Sequence, residues 1–356
     1  MRPGRMKSVM ADQCIYPGPH GDMSDEHYLP AALGRFRCQP LEGRVCRPCN
    51  TYIGDTVETE FLRTGAIAFF RWMVGVSGRD GLLPSPFYRR AAGMPPIHMT
   101  GRAPGFAYDL LWEVDPGTQD VYPLRQVVFV HRLLAEPRAV PIHDRMRDNP
   151  EALAELLRDW GLGRGQPIRA FATPEEIPWV SDLLRSLGYA IPADWAVTEF
   201  PAQKIQLIAE VTVSPAHFRA VAKIGFHYVL KMFPDLTGTE AEFAPMKDFI
   251  WAGRGDVAQF VRQRSDQFVR NFERARPTQW MHILAVERTY SVILAYAQFF
   301  AGPGIVPPPY VIRIGRNPAR IDSRREVRGH QFVILDPAAG TGEMVDAEPA
   351  QFILVP

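Results

Sequence analysis

The cysteines of this chain are clustered, and their spacing suits a metal ion. All four lie within the first 50 of 356 residues, at Cys14, Cys38, Cys46 and Cys49. Cys46 and Cys49 are separated by two residues, the spacing at which two thiolates commonly bind one zinc ion. A disulfide scaffold would instead distribute its cysteines along the chain that it stabilises. The pattern therefore predicts a structural zinc site in the first 50 residues.

An acidic residue and a histidine precede this cysteine pair by about 20 residues. Glu26 and His27 are followed by an apolar pair and Pro30, and Asn50 comes directly after Cys49. A histidine near its usual pKa of about 6.5 can take a proton from water at neutral pH. Carboxylate and amide oxygens are hard ligands suited to Mg²⁺ or Mn²⁺. These residue types fit phosphodiester hydrolysis, which needs an activated water and a positive charge at the phosphate.

The order of these motifs resembles the HNH (His-Me finger) endonucleases, in particular the branch with a zinc knuckle. That family combines an upstream Cys-x-x-Cys, an acidic-His-apolar-apolar-Pro strand, a loop with glycine, and an apolar-Cys-x-x-Cys-Asn stretch that enters a helix. The resemblance covers 12–64, about a sixth of the chain. It implies a zinc-stabilised ββα unit that cleaves DNA, with structural Zn²⁺ and catalytic Mg²⁺ or Mn²⁺.

The resemblance also implies roles for individual residues. His27 would be the general base, and Glu26 and Asn50 would bind the catalytic ion. Two simpler interpretations stay open: Glu26 as an ordinary surface carboxylate, and Asn50 as a helix cap without metal contact. The implied substrate is DNA, double-stranded above all, with RNA and single strands left open, and cutting would leave 3′-hydroxyl and 5′-phosphate ends. Defence against foreign DNA is a role that the family suggests.

The upstream half of the predicted knuckle departs from the family pattern. Pro17 stands where a second cysteine is expected after Cys14. His20 is predicted to replace it, because a neutral imidazole binds zinc well and this residue precedes the first strand. Cys38, in the loop of the hairpin, is the alternative ligand. The predicted zinc ligands are Cys14, His20, Cys46 and Cys49.

Two further departures concern the catalytic residues. The central asparagine of the family is absent, and only Gln39 or Glu42 is placed to orient the histidine. Thr51 stands where many members carry Asn or His. These departures keep a second function open: a catalytically degenerate HNH-like zinc module that binds nucleic acid or a protein partner.

The composition is that of an ordinary globular protein, with 46% hydrophobic and 22% charged residues. The net charge of +1 gives no overall attraction to nucleic acid or membranes, so a DNA-binding surface must be local. No apolar stretch reaches the roughly 18 residues of a membrane span, and no secretory signal is recognisable. The sequence therefore predicts a cytoplasmic protein without a membrane partner.

Local patterns predict an α+β fold with a strand-rich C-terminal part. Capping residues followed by proline predict helices at 149–161 and 173–188. The stretch 214–233 has a serine cap and apolar residues at helical spacing, which predicts a buried core helix. The predicted regions are a finger segment at 11–64, a middle α+β region at 65–200, and a C-terminal region of core helix and strands at 201–356.

One stretch of the C-terminal region is rich in arginine. Residues 311–330 carry six arginines against two acidic residues. Because arginine binds phosphate through two parallel hydrogen bonds, this stretch is predicted to contact the DNA backbone; the alternative is a solvated, ion-paired surface. The same region is the expected place for a protein partner or a second copy of the chain. The predicted contacts are Arg313, Arg316, Arg320, Arg324 and Arg325.

Overall fold

The chain divides into two compact units in a computed structural model. A split unit combines Met1–Pro84 with Val213–Pro356, and an inserted unit comprises Ser85–Thr212. The structure describes residues 13–36, 40–76, 97–103, 106–114, 121–129, 137–159, 168–190, 207–211, 213–264, 280–302, 307–318, 326–336 and 341–346.

The split unit begins with two paired strands that run into a helical segment. Strand β1 pairs antiparallel with β3, Met23 lying opposite Cys46, and α1 starts at the residue after β3. A proline in the first turn of α1 supplies a preset helical φ angle at that junction. The elements are β1 (Met23–Glu26), a 3₁₀ turn (Ala31–Leu33), β2 (Arg35–Phe36), β3 (Leu41–Cys46), α1 (Arg47–Ile53), a π-helical turn (Gly54–Glu58), α2 (Thr59–Arg63) and α3 (Gly65–Met73).

The inserted unit contains two antiparallel sheets and three helices among its described residues. Their orders are β10-β4-β5-β6 and β8-β7-β9. Its core is formed by apolar residues of β7, β8 and β9 and the inner faces of α4, α5 and α6. The elements are β4 (His98–Gly101), β5 (Leu110–Val114), β6 (Val121–Pro123), β7 (Gln126–Phe129), β8 (Arg138–Pro141), α4 (Arg145–Asp148), α5 (Glu151–Asp159), β9 (Ile168–Phe171), α6 (Ile177–Ser186) and β10 (Ile208–Glu210).

The rest of the split unit supplies its main sheet. The described strands follow the order β11-β14-β13-β12-β15-β16-β2, and every pair is antiparallel except β16 with β2. Strand β12 is buried along its whole length. The elements are α7 (Pro215–Met232), a 3₁₀ turn (Ala241–Phe243), α8 (Ala244–Ala252), α9 (Val257–Phe260), β11 (Val261–Gln263), β12 (Met281–Arg288), β13 (Val292–Ala301), β14 (Tyr310–Arg316), β15 (Glu326–Asp336) and β16 (Thr341–Asp346).

Helix α7 is the central element of the split unit. Ser214 caps it, its hydroxyl accepting a hydrogen bond from the His217 amide at 3.3 Å. The helix packs on β13 and β14, and also on the π-helical turn and β3. Gly225 allows the close approach, because a Cβ atom there would lie 2.6 Å from Cδ1 of Ile312. Most of α7 is therefore buried, including Lys223 and His227.

These elements confirm the predicted α+β fold with a strand-rich C-terminal region. The predicted helices at 149–161, 173–188 and 214–233 correspond to α5, α6 and α7. The compact units divide the chain differently from the three predicted regions, since α7 packs against the finger segment and joins it to the C-terminal sheet. Among the described residues, no helix combines the length and apolarity that a membrane crossing requires.

Candidate functional site

The four predicted zinc ligands lie together. One potential ligand atom from each of Cys14, His20, Cys46 and Cys49 lies within 4.8 Å of all the others. A tetrahedral zinc ion with bonds of about 2.0–2.3 Å holds its ligand atoms about 3.3–3.8 Å apart, so small adjustments bring this set into contact with one ion. Three thiols and one imidazole are a donor set that zinc prefers, and they fit a closed structural site.

The fold explains why these four residues meet. Cys46 ends β3 and caps α1, and Cys49 lies in the first turn of that helix. The preceding segment is tied to β3, because the amide of Ile15 donates to the carbonyl of Arg44 at 3.0 Å. Gly18 completes the fit, since a Cβ atom there would lie 2.3 Å from the Trp251 ring and 3.1 Å from Sγ of Cys49. The alternative ligand Cys38 lies outside the described residues.

The thiols influence one another. Burial raises the pKa of the Cys46 thiol, but hydrogen bonds with His20 and Cys49 outweigh burial and bring that pKa to about 6. Burial and the neighbouring thiols raise the pKa of Cys49 well above its usual value. Without a cation, Cys46 therefore loses its proton before Cys49, which resists losing its own. A bound zinc ion would reverse that resistance, because it stabilises every thiolate that contacts it.

His27 and Asn50 lie on the two elements that the cysteines join. His27 directly follows β1 and is exposed, whereas Asn50 is half-buried in α1. The Ser24 hydroxyl donates to the Val45 carbonyl at 2.9 Å, so it can only accept from the Asn50 amide nitrogen, 3.2 Å away. This fixes the amide orientation and leaves Oδ1 of Asn50 for another partner.

Glu26, the predicted ligand of a catalytic ion, has different surroundings. It is only 5% exposed, and its carboxylate forms an ion pair with Nζ of Lys223 from α7. Burial raises the pKa of this carboxyl, but the Lys223 charge and a contact with His227 outweigh it and lower the pKa to about 2. Glu26 is thus an anion held by a lysine rather than an open carboxylate, and its role as an ion ligand stays a prediction.

Lys223 has further partners. Its ammonium lies 2.6 Å from Oε1 of Glu58 and donates to the main-chain carbonyl of His27 at 2.9 Å. Burial lowers the pKa of this amine, but Glu26 and Glu58 raise it above its usual value. Burial, reinforced by Lys223, lowers the pKa of His227 to about 4, so that imidazole is neutral at pH 7.

His227 extends the network toward the zinc cluster. Its Nε2 lies 2.8 Å from the Tyr16 hydroxyl, and its Nδ1 lies 3.6 Å from Oε1 of Glu26, too far for a full hydrogen bond. Tyr16 is fully buried two residues after Cys14. No site role was predicted for Lys223, Glu58, Tyr16 or His227. The available signal was Lys223, a lysine between apolar residues of the predicted core helix.

Two of the predicted DNA contacts lie in a cleft of the split unit. Arg313 and Arg316 are exposed on β14 and line an open cavity of about 470 Å³ with Gln259, Phe260 and Glu242. Among the described residues, neither arginine forms an ion pair. The other three predicted contacts lie outside the described residues: Arg320, Arg324 and Arg325.

Comparison with known proteins adds no relative. No family model matches the chain, and neither a curated protein nor a solved structure matches it. The functional interpretation therefore depends on the residues and contacts above.

Proposed function

We propose that this chain is a zinc-stabilised DNA endonuclease of the HNH type, with His27 as the general base. One observation carries the proposal: the four zinc ligands meet where β3 enters α1. An ion held there would fix the helix against the strands, with Asn50 bonded to Ser24 of β1. His27 follows that same strand and is open to solvent, where it can reach a substrate.

The zinc ligands would have a structural role and His27 a catalytic one. Four protein ligands would fill the zinc coordination sphere, so the cluster has a structural role and leaves no open position for catalysis. His27 would take a proton from the water that attacks the scissile phosphorus, and the bond from phosphorus to the 3′ oxygen would break. That oxygen would take a proton from solvent, which gives a 3′-hydroxyl and a 5′-phosphate. A step of this kind is typically worth about 10²- to 10⁴-fold in rate.

A Mg²⁺-type ion would supply positive charge at the scissile phosphate. The predicted donor pair does not fit such an ion as the side chains stand. Oδ1 of Asn50 is available, but the Glu26 carboxylate is paired with the Lys223 ammonium.

The arginine cleft supports DNA as the substrate. Arg313 and Arg316 present guanidinium groups without a described carboxylate partner, and such groups suit a phosphate backbone. The half-buried Phe260 ring lies in the same cleft. No base-reading motif accompanies these residues, so we expect binding to be largely independent of sequence.

The test is a plasmid-nicking assay with Mg²⁺ or Mn²⁺. We expect His27→Ala to lower the nicking rate at least about 100-fold, because it removes the proton acceptor. Asp55→Ala is the matched control, since Asp55 is an exposed polar residue of the π-helical turn outside the site. Nicking by His27→Ala at the wild-type rate, or no nicking by the wild type with any divalent ion, would rule the proposal out.

A specific observation favours a second function. Because Lys223 engages Glu26, the segment has features of a degenerate finger that keeps its zinc but lacks an ion site. Such a protein would bind nucleic acid or a protein partner without cutting. DNA binding that depends on zinc, together with the absence of nicking by wild type, would identify this alternative.

A further inference from the structure

We infer that Glu26 is an anchor rather than an ion ligand: with Lys223 and Glu58 it forms a buried charge cluster that holds the backbone beneath His27. This inference rests on the proposed function for its meaning in catalysis, and it makes Lys223 a positioning residue. The two claims have a common basis, because the same ammonium contacts the Glu26 carboxylate and the His27 carbonyl.

The charge cluster is buried. The side chains of Lys223 and Glu26 are 2% and 6% exposed, and that of Glu58 is 17% exposed. A buried ammonium needs nearby acceptors, and here two carboxylates and a carbonyl surround it. A second cation at Glu26 would have to displace Lys223 or share its carboxylate with it, and the repulsion between the two cations opposes both arrangements.

The side chain of His27 points away from α7. Its neighbours on both sides face α7: Glu26 pairs with Lys223, and the Tyr28 ring lies 5.1 Å from the Tyr228 ring. His27 lies between these two buried residues and is itself exposed, so its side chain is directed away from α7.

Lys223 also contacts the main chain at His27. Lys223 donates to the carbonyl of His27 at 2.9 Å, and that carbonyl shares a planar peptide group with the amide of Tyr28. The bond therefore fixes the peptide plane directly after the Cα atom that carries the imidazole. A small displacement there would move the base away from its substrate, and misplacement of about 1 Å can lower a rate about 100-fold.

The ligand question is tested with Glu26→Gln, which keeps the shape and removes the charge. Mn²⁺ binding, measured by electron paramagnetic resonance, and the Mg²⁺ concentration for half-maximal nicking are compared with wild type. We expect the Mn²⁺ affinity and the Mg²⁺ concentration to lie within about two-fold of the wild-type values. Loss of a true ligand would weaken Mn²⁺ binding and raise the required Mg²⁺ concentration about ten-fold or more. Asn50→Ala serves as the comparison for a predicted ligand. Ten-fold weaker Mn²⁺ binding by Glu26→Gln would overturn the inference.

The anchoring role is tested without reference to activity. Hydrogen exchange of the Tyr28 amide, measured by NMR, is expected to rise about ten-fold or more in Lys223→Met and to recover in part in Lys223→Arg. Amides of β12 should exchange as in wild type. Lys231→Met is the matched control, because this lysine lies two turns further along α7 and reaches Pro40 instead.

A double variant keeps this test decisive. Lys223→Met alone leaves Glu26 as an unpaired buried anion, which can unfold the protein. Glu26→Gln combined with Lys223→Met removes the two most buried charges and leaves only Glu58, whose side chain is 17% exposed. This variant should fold, bind zinc and still show fast exchange at Tyr28. Wild-type exchange at Tyr28 in a folded protein that carries Lys223→Met, alone or with Glu26→Gln, would overturn the inference. A wild type that binds Mn²⁺ but never nicks DNA would remove the proposed function and leave the anchor standing.

Discussion

Lys223 and His27 are 196 residues apart in sequence, yet the ammonium of one donates to the carbonyl of the other. The contact joins the two parts of the split unit at the residue proposed as the base. Around it, the split unit combines a cluster that suits zinc with a buried charge network, and the two are linked through Tyr16 and His227.

Zinc content gives the most direct prediction. We expect about one zinc ion per chain by elemental analysis, and its loss in Cys49→Ser, because three ligands without the fourth bind far more weakly. His20→Ala should lose it as well. Cys38→Ser is the control and should keep the metal. Zinc retained in His20→Ala and lost in Cys38→Ser would show that Cys38 is the fourth ligand.

Acid should destabilise the split unit before its carboxylates titrate. Burial lowers the pKa of His217, His227 and His282 to about 4, against 6.5 for an exposed histidine. Between pH 4 and 6.5 the unfolded chain binds more protons than the folded chain. The free energy of unfolding therefore has its full value above pH 6.5 and decreases as the pH falls toward 4. Each histidine should account for roughly 2 kcal/mol of that loss between pH 7.5 and 5. Urea unfolding between pH 7.5 and 5 measures it.

The variant His282→Gln isolates one of these contributions. His282 Nδ1 accepts from the Phe300 amide at 3.1 Å, and Nε2 donates to the Leu33 carbonyl at 3.1 Å. Glutamine offers a donor and an acceptor but does not titrate. We expect its stability to depend less steeply on pH than that of wild type, whereas acid release of zinc affects both proteins equally. Identical pH dependence in the two would contradict this assignment.

Two helical glycines should respond oppositely to alanine. At Gly225 a Cβ atom would lie 2.6 Å from buried Ile312 and 3.2 Å from Ala295, whereas Gly54 has nothing within 4 Å. Both substitutions gain up to about 1 kcal/mol of helix propensity, so their difference reports the steric conflict. We expect Gly225→Ala to be less stable than Gly54→Ala by about 1–3 kcal/mol in urea unfolding. Equal stabilities would mean that α7 does not approach the sheet this closely.

The arginine cleft predicts a change in salt dependence. Arg313→Ala and Arg316→Ala should each weaken binding to any DNA duplex and reduce the slope of log affinity against log salt by about 0.9. Arg158→Ala is the control, because it removes an exposed arginine of α5 in the inserted unit. Fluorescence anisotropy with two unrelated duplexes makes the measurement. An unchanged slope in both cleft variants would remove these arginines from the DNA surface.

The zinc cluster was predictable because its information is local. Cys46, Cys49 and their short distance from Cys14 and His20 are visible as types and spacing, and the paired strands bring them together. Helix α7 was predictable from its serine cap and apolar period. The partner of Glu26 was not predictable. In a sequence, an acidic residue beside a histidine looks the same whether its side chain faces solvent, an ion or a lysine. That distinction depends on α7, which follows the whole inserted unit in sequence.

The split unit has a consequence for synthesis on the ribosome. The inserted unit is continuous in sequence, so it can complete its fold while the C-terminal strands are still being made. At about 5–20 residues per second, the 196 residues between His27 and Lys223 take about 10–40 s to translate. For that interval Glu26 has no ammonium to pair with and the finger segment has no sheet beneath it. The finger segment is therefore made before the inserted unit and completed after it.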